Sequence, residues 1–203
     1  MGKLIVFEGI DGSGKSTQID ILKHTLEKAG KDVIALREPG GTKLSEQIRT
    51  ILLSKGSTGI GDVAELFLFC AARAQLVEEL IKPALDENKI VLCDRFMHST
   101  VAYQGYGREL PVDEIIATQS LVTDDIRPDL VILLDLPVKV GYDRLNTGEI
   151  DRMEDAGDDF MERVRNGYLK LAQKDSQNWL VLDGTSDQHQ IAEEIETRVK
   201  SII

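Results

Sequence analysis

The sequence predicts an α/β fold: a parallel sheet with helices covering both faces. Three observations carry that expectation. Short, wholly apolar runs occur at residues 4–7, 33–36, 90–93, 130–134 and 179–182, as strands buried on both faces require. Stripes of helical spacing lie between them. Polar or glycine-rich residues come after each run, and ligands of such sheets bind beyond the carboxyl ends of the strands. In order, the first run leads into a helix whose stripe is Ile19, Leu22, Leu26 and Ala29, with Gly30 placed to cap it. After the second run comes a longer stripe, Val63, Leu66, Cys70, Ala74, Val77 and Ile81. Asp62 and Glu65 are spaced like a capping box there, and Pro83 stands near the end. The last stripe, Ile191, Ile195, Val199 and Ile202, comes after Asp187 and Gln190 at capping spacing. Residues 146–159 hold seven charged residues and two glycines with no apolar periodicity, which reads equally as a surface loop or a mobile lid.

A chain of 203 residues predicts a single domain, 1–203. The longest apolar run, residues 66–72, is far short of a membrane span, and Glu8 interrupts the N-terminal run too early for a signal peptide. A cytoplasmic location is therefore expected. Cys70 and Cys93 form no CxxC pair and read as reduced core thiols. The net charge of −11 argues against a nucleic-acid partner. It also requires that any anion site be locally basic, because the overall field repels anions.

The chemistry lies just past the strand ends. After the first strand comes Gly9-Ile10-Asp11-Gly12-Ser13-Gly14-Lys15-Ser16-Thr17, which satisfies the phosphate-loop pattern G-x-x-x-x-G-K-[ST]. Its glycines let successive N–H groups turn inward around an anion, and the next helix presents its N-terminus to the same phosphates. Lys15 supplies charge for the outer phosphates, and Ser16 is placed to ligate Mg²⁺. After the third run comes Asp94-Arg95, either a surface ion pair or a carboxylate in the Mg²⁺ shell beside an anion-bridging guanidinium. After the second comes Arg37-Glu38-Pro39-Gly40-Gly41-Thr42, a tight loop facing the same edge. Phe69 and Arg73 stand one helical turn apart, as a base clamp or as a core ring with an arginine lying across it. The three histidines show no ligand spacing. Lys15, Arg37, Arg73, Arg95, Arg108, Arg144 and Arg152 all fall in this set, so much of the positive charge is expected on one edge.

Together these blocks resemble the bacterial thymidylate kinase family. The blocks are 7–17, 37–42, Ala72-Arg73-Ala74-Gln75, Asp94-Arg95 with Ser99 and Ala102-Tyr103-Gln104-Gly105, and Asp151-Arg152-Met153-Glu154. The resemblance covers residues 4 to 185 or so, and the second and fourth blocks are its most specific parts. It implies the nucleoside monophosphate kinase variant of the P-loop fold, with five parallel strands and a mobile lid at about 146–158. It further implies ATP- and Mg²⁺-dependent phosphorylation of dTMP to dTDP by a cytoplasmic homodimer. By position, Gly9 to Thr17 and Arg144 would hold ATP, and Ser16 and Asp94 the metal. Asp11, Glu38, Pro39, Phe69, Arg73, Arg95, Ser99, Thr100, Tyr103 and Gln104 would hold dTMP. Lys15, Arg95, Asp11 and Arg152 would act in catalysis.

The chain departs from the family at three places. Gly12 stands where some members carry a loop arginine. Members with that glycine usually have arginines just before the Gly148-Glu149-Ile150-Asp151-Arg152 segment, where this chain has Leu145-Asn146-Thr147. Ser45 stands where glycine is common. Two other readings compete with the resemblance: a kinase for another nucleotide, and a nucleotide-driven switch protein. The absence of an Asn-Lys-x-Asp guanine motif weighs against the second.

Overall fold

The structure, a computed structural model, describes residues 2–54, 59–145, 152–153 and 157–203. The expected lid, 146–158, lies largely outside the described residues; Arg152, Met153, Gly157 and Asp158 are inside. All five expected strands form: β1 (Lys3–Glu8), β2 (Val33–Arg37), β3 (Ile90–Asp94), β4 (Leu130–Asp135) and β5 (Trp179–Asp183). Each runs one residue past its apolar stretch and so ends on a charged side chain. The ladder continues there while the side chain emerges at the sheet edge. The strands are parallel in the order β2-β3-β1-β4-β5. Register aligns Phe7 and Arg37 with Asp94, so the central strand opens its loop beside the Asp94-Arg95 turn.

Alternate strand residues enter different layers. Ile5, Phe7, Leu92 and Ile132 pack under α1 (Lys15–Lys28) and α9 (Gln188–Lys200), through Ile19, Leu22, Leu26, Ile191, Ile195 and Val199. On the opposite face Leu4, Val6, Val91 and Cys93 meet Leu76, Val77, Ile81 and Phe96. Val131 and Leu133 pack there with Tyr103, Phe160, Val164 and Tyr168. Phe96 lies between β3 and the next helix, and the other partners lie on α3 (Asp62–Leu76), the π-helical turns Val77–Ile81 and Val101–Gly107, and α8 (Asp158–Lys174). The remaining helices are α2 (Lys43–Leu53), α4 (Lys82–Asp86), α5 (Met97–Thr100), α6 (Val112–Val122) and α7 (Val138–Leu145). The three stripes picked out in the sequence do not extend to α2, α5, α6, α7 or α8. Both cysteines are free and buried. No helix of the described residues is long and apolar enough to cross a membrane.

Local expectations met mixed outcomes. Asp187 caps α9, accepting from the N–H groups of His189 and Gln190. Gly30 ends α1 as expected, with its N–H on Glu27 O and the Lys31 N–H on Leu26 O, but Ala29 is exposed. The α3 stripe is shifted: Val63 and Ala74 face outward, and Glu65, Leu66, Cys70, Arg73 and Leu76 face in. Nor is Asp62 a cap. Gly61 holds that position, and Glu65 turns inward to two arginines and an amide instead of the helix end. Charged donors offer a carboxylate more than one backbone N–H does, so the capping spacing misleads there. Ser45 has a use for its hydroxyl: it donates to Ala72 O at 2.8 Å and ties α2 to α3.

Gly30 sits at φ +76° with nothing near the place a Cβ would occupy. Gly30→Ala should therefore cost about 1 kcal/mol through backbone strain alone. Urea unfolding should show a lower midpoint with an unchanged slope; an unchanged midpoint would contradict the assignment.

Candidate active site

The phosphate loop joins β1 to α1, with Gly14 as the helix N-cap and Lys15 and Ser16 as the first helical residues. The free N–H groups of that helix end therefore face the strand edge. Lys15 is folded across its own loop, its Nζ donating to Gly9 O at 3.1 Å and Ile10 O at 3.0 Å. Burial and the Arg95 charge lower its pKa, against the opposing pull of Asp11, Asp94 and Glu8. The far side of the loop meets α7 backbone to backbone. A Cβ on Gly12, which has φ +76°, would lie 2.6 Å from Gly141 O. Arg144 closes the same side, donating to Gly12 O at 3.2 Å and Gly184 O at 3.0 Å.

Ser16 Oγ donates to Asp94 Oδ2 at 3.1 Å, and Asp94 Oδ1 is buried with no hydrogen-bond partner. This hydroxyl and carboxylate are the hard oxygen donors that Mg²⁺ takes, and the orphaned oxygen leaves a lone pair for it. No group of three His, Cys, Asp or Glu side chains among the described residues is arranged to hold a metal. A cation here would draw its other ligands from phosphate and water, as Mg²⁺ at nucleotide sites does.

Arg95 is the hinge of the site. Its backbone is left-handed, φ +69°, which turns the side chain from β3 back toward the loop. The guanidinium donates to Asp11 Oδ1 at 2.6 Å, Gly9 O at 3.0 Å, Tyr168 Oη at 3.1 Å and Ser99 Oγ at 3.3 Å. Burial pushes the Asp11 carboxyl up, but Arg95 and Lys15 outweigh it and hold its pKa below the usual range. Glu8, fully buried at the end of β1, accepts the backbone N–H of Phe96 and Ser99 at 3.0 and 3.2 Å. Its other oxygen accepts from the hydroxyls of Ser99 and Tyr168 at 2.6 and 2.9 Å. It thus caps α5 from another strand. Burial, its largest influence, raises its pKa.

Two hollows flank this hinge. The larger, about 520 Å³, is lined by Asp11, Gly12, Gly14, Lys15, Ser16, Thr17, Arg37, Asp94 and Arg144. The smaller, about 90 Å³, is lined by Pro39, Leu53, Phe69, Ser99, Thr100, Tyr103, Gln104 and Met153. Asp11, Glu38, Arg49 and Arg95 line both and form their common wall. The site therefore joins an open polyphosphate cleft to an aromatic-walled pocket through two arginines and two carboxylates.

Residues 7–195 match the family described as thymidylate kinase. The chain belongs to the thymidylate kinase family. It is 47% identical over 196 residues to the thymidylate kinase of Thermosipho africanus, covering 97% of this chain and 96% of that protein. It is 47% identical over 191 residues to that of Fervidobacterium nodosum, covering 94% of this chain and 95% of the relative. The crystal structure of thymidylate kinase from Ehrlichia chaffeensis superposes with a TM-score of 0.80 at 33% identity, covering 98% of each chain. The five-stranded parallel P-loop kinase fold and the family resemblance drawn from the motifs both hold.

Within this thymidylate kinase fold, the site residues expected from the sequence separate into groups. Nine of the ten expected at the acceptor line the smaller pocket. The tenth, Arg73, lies behind it, 1% exposed. Its guanidinium donates to Glu38 at 2.6 Å, Gln119 at 2.7 Å, Thr100 at 2.8 Å and Phe96 O at 3.0 Å. Of the loop residues, Gly9, Ile10 and Ser13 shape the turn without lining the cleft. Among the expected cations, Lys15, Arg37, Arg95 and Arg144 converge on the cleft. Arg108 and Arg152 do not: both pair with Glu65, at 3.1 and 2.7 Å. Arg152, expected in catalysis, also donates to Leu52 O at 2.7 Å.

Sequence patterns alone miss Arg49, Glu8, Glu65 and Tyr168. Glu8 had a signal, as a charge ending an apolar strand. Arg49 had none: it belongs to no motif, and only the folded chain brings it to the two pockets.

Glu38 has one oxygen on Arg73 and the other, Oε1, buried without a partner. Burial is the largest influence and raises its pKa from 4.5 to about 7. The folded protein thus holds this proton more tightly than the unfolded chain. The stabilisation is complete below the unfolded pKa and is lost as pH rises through about 7. Melting temperatures should fall between about pH 5 and about pH 7.5, and the fall should shrink in Glu38→Gln. Equal slopes in the two proteins would show that another group titrates there.

Proposed function

We propose that phosphorylation of dTMP to dTDP proceeds by in-line transfer across the wall the two pockets share, with ATP in the cleft and dTMP in the aromatic-walled pocket. The supporting observation is the pair Arg49 and Arg95, each lining both pockets beside the phosphate loop. An acceptor phosphate is already anionic at neutral pH, so the reaction needs no general base. The barrier is repulsion and misalignment between two polyanions, which cations and positioning lower. His98 fits that picture: burial lowers its pKa to about 3 and it packs edge-on against Trp179, so it stays neutral.

Each residue has a task. Lys15 leaves its loop carbonyls for the outer phosphates. Arg95 spans acceptor and donor phosphates and releases Asp11 toward the acceptor sugar. Phe69 stacks on the base, and Tyr103 lies near the sugar, where it crowds a 2′-hydroxyl. Arg144 holds the ATP side of the cleft. Ser16 and Asp94 hold Mg²⁺, which neutralises phosphate charge when bound. The described geometry commits Arg152 to Glu65, so we give the phosphoryl group no contact with it.

The enzyme acts as a homodimer in this reading, the second copy covering the exposed Val63 and Phe67 of α3 and Leu121 of α6. The nucleotide substrates and the reduced Cys70 and Cys93 suit a cytoplasmic location.

A coupled ADP-release assay over a panel of nucleotide acceptors, with Mg²⁺ and with EDTA, tests the reaction. dTMP should be preferred and EDTA should abolish turnover; preference for another acceptor overturns the assignment. Lys15→Ala and Arg95→Ala should each lower kcat by at least about 10²-fold, as loss of such charge stabilisers does. Near-normal rates in both would remove their roles. Light scattering should give twice the chain mass, and a monomer would refute the dimer.

A further inference from the structure

Glu65 is fully buried, carries charge, and has no task in the mechanism above. Its carboxylate accepts from Gln104 Nε2 at 2.9 Å and from Arg108 Nε and Nη2 at 3.2 and 3.1 Å. Arg152 Nη2 lies 2.7 Å from it. Burial pushes its pKa up, but the bonds from Arg108 and Gln104 outweigh this, and the net shift is down. The group is a carboxylate throughout the working pH range.

An ionised carboxylate has only acceptors. Gln104 must therefore turn its NH₂ toward Glu65, and the planar amide then directs the carbonyl Oε1 the other way. Gln104 is 1% exposed and lines the acceptor pocket, so the atom it leaves for a ligand is an acceptor. A carbonyl there satisfies a ring N–H and leaves a ring lone pair unmatched. Uncommitted glutamine would flip to suit either.

The same carboxylate anchors part of the pocket wall. Arg152, held by Glu65, donates through Nε to Leu52 O at 2.7 Å and through its backbone N–H to Leu53 O at 3.4 Å. Leu53 and Met153 line the pocket.

We propose that Glu65 is a positioning residue that sets base specificity: by holding Gln104 nitrogen-first and hooking Arg152 to the pocket wall, it presents a fixed carbonyl that selects pyrimidines carrying a ring N–H. This rests on the smaller pocket being the acceptor site. The step costs the base nothing in flexibility, because the amide is oriented before substrate arrives. A site built for one hydrogen-bonding pattern rejects the mismatched pattern far more strongly than an apolar pocket rejects a missing methyl.

The test compares dTMP with 5-methyl-dCMP, which share the methyl group and differ at that ring edge. kcat/KM for both is measured in wild type, Glu65→Gln, Gln104→Leu and the double variant. Glu65→Gln should narrow the dTMP preference by at least about tenfold, because either amide face can then meet the new carboxamide. KM for ATP should hold. In the Gln104→Leu background the same change should leave the ratio within about twofold, since no amide remains to orient.

A merely structural role would lower both acceptors alike and lower the melting temperature without moving the ratio. A wild-type ratio in Glu65→Gln, or an equal shift with and without Gln104, overturns the proposal. If Glu65→Gln does not fold, exchange of the Gln104 side-chain amide protons in the wild-type protein decides. They should be protected without substrate, and exchange as fast as in an exposed glutamine overturns the assignment. A wild-type protein that cannot phosphorylate dTMP overturns the reading of the pocket instead, which is a separate failure.

Discussion

The Arg95 guanidinium is the point on which the site is built. It binds the phosphate loop through Asp11 and Gly9 O and the wall beyond it through Ser99 and Tyr168. Of the four residues that line both hollows, it is the one tied by hydrogen bonds to the phosphate loop and to Ser99. Its left-handed backbone is a local cost that the surrounding bonds hold in place. Glu8 adds to that hold, anchoring the turn after Arg95 through two backbone N–H groups and two hydroxyls. A fully buried carboxylate is expensive unless every lone pair is used, and here they are.

The charge problem is solved by placement. The chain carries a net charge of −11, yet Lys15, Arg37, Arg49, Arg95 and Arg144 face one cleft. Several have carboxylate neighbours: Arg95 with Asp11, Arg37 with Glu46, Lys15 near Asp11. These pairings keep the free cleft from repelling itself. They also give each cation a partner to leave when a phosphate, with its greater charge, arrives.

The fold was legible because each strand is buried on both faces and each reads as an unbroken apolar run. The phosphate loop was legible because its chemistry needs glycines and a lysine at fixed spacing. Other features were not, for physical reasons. α2 and α6 each bury only a few residues, a polar one among them (Ser45 in α2, Gln119 in α6), and the two π-helical turns shift the stripe out of its period. Arg73, Arg108 and Arg152 are all arginines near motifs, but only their partners decide what they do, and those partners lie far away in sequence. Glu65 shows this best: its spacing from Asp62 signalled a helix cap, while its true neighbours are Gln104, Arg108 and Arg152.

The contact between Gly12 and Gly141 bears on how this chain could diverge. A side chain at position 12 would strike Gly141 O, and one at position 141 would strike Asp11 O at 2.8 Å. An arginine at position 12 is therefore barred unless α7 retreats. The glycines at 12 and 141 are thus coupled: each gives up its side chain to the backbone beside the other, so neither position can change unless the loop and α7 move apart.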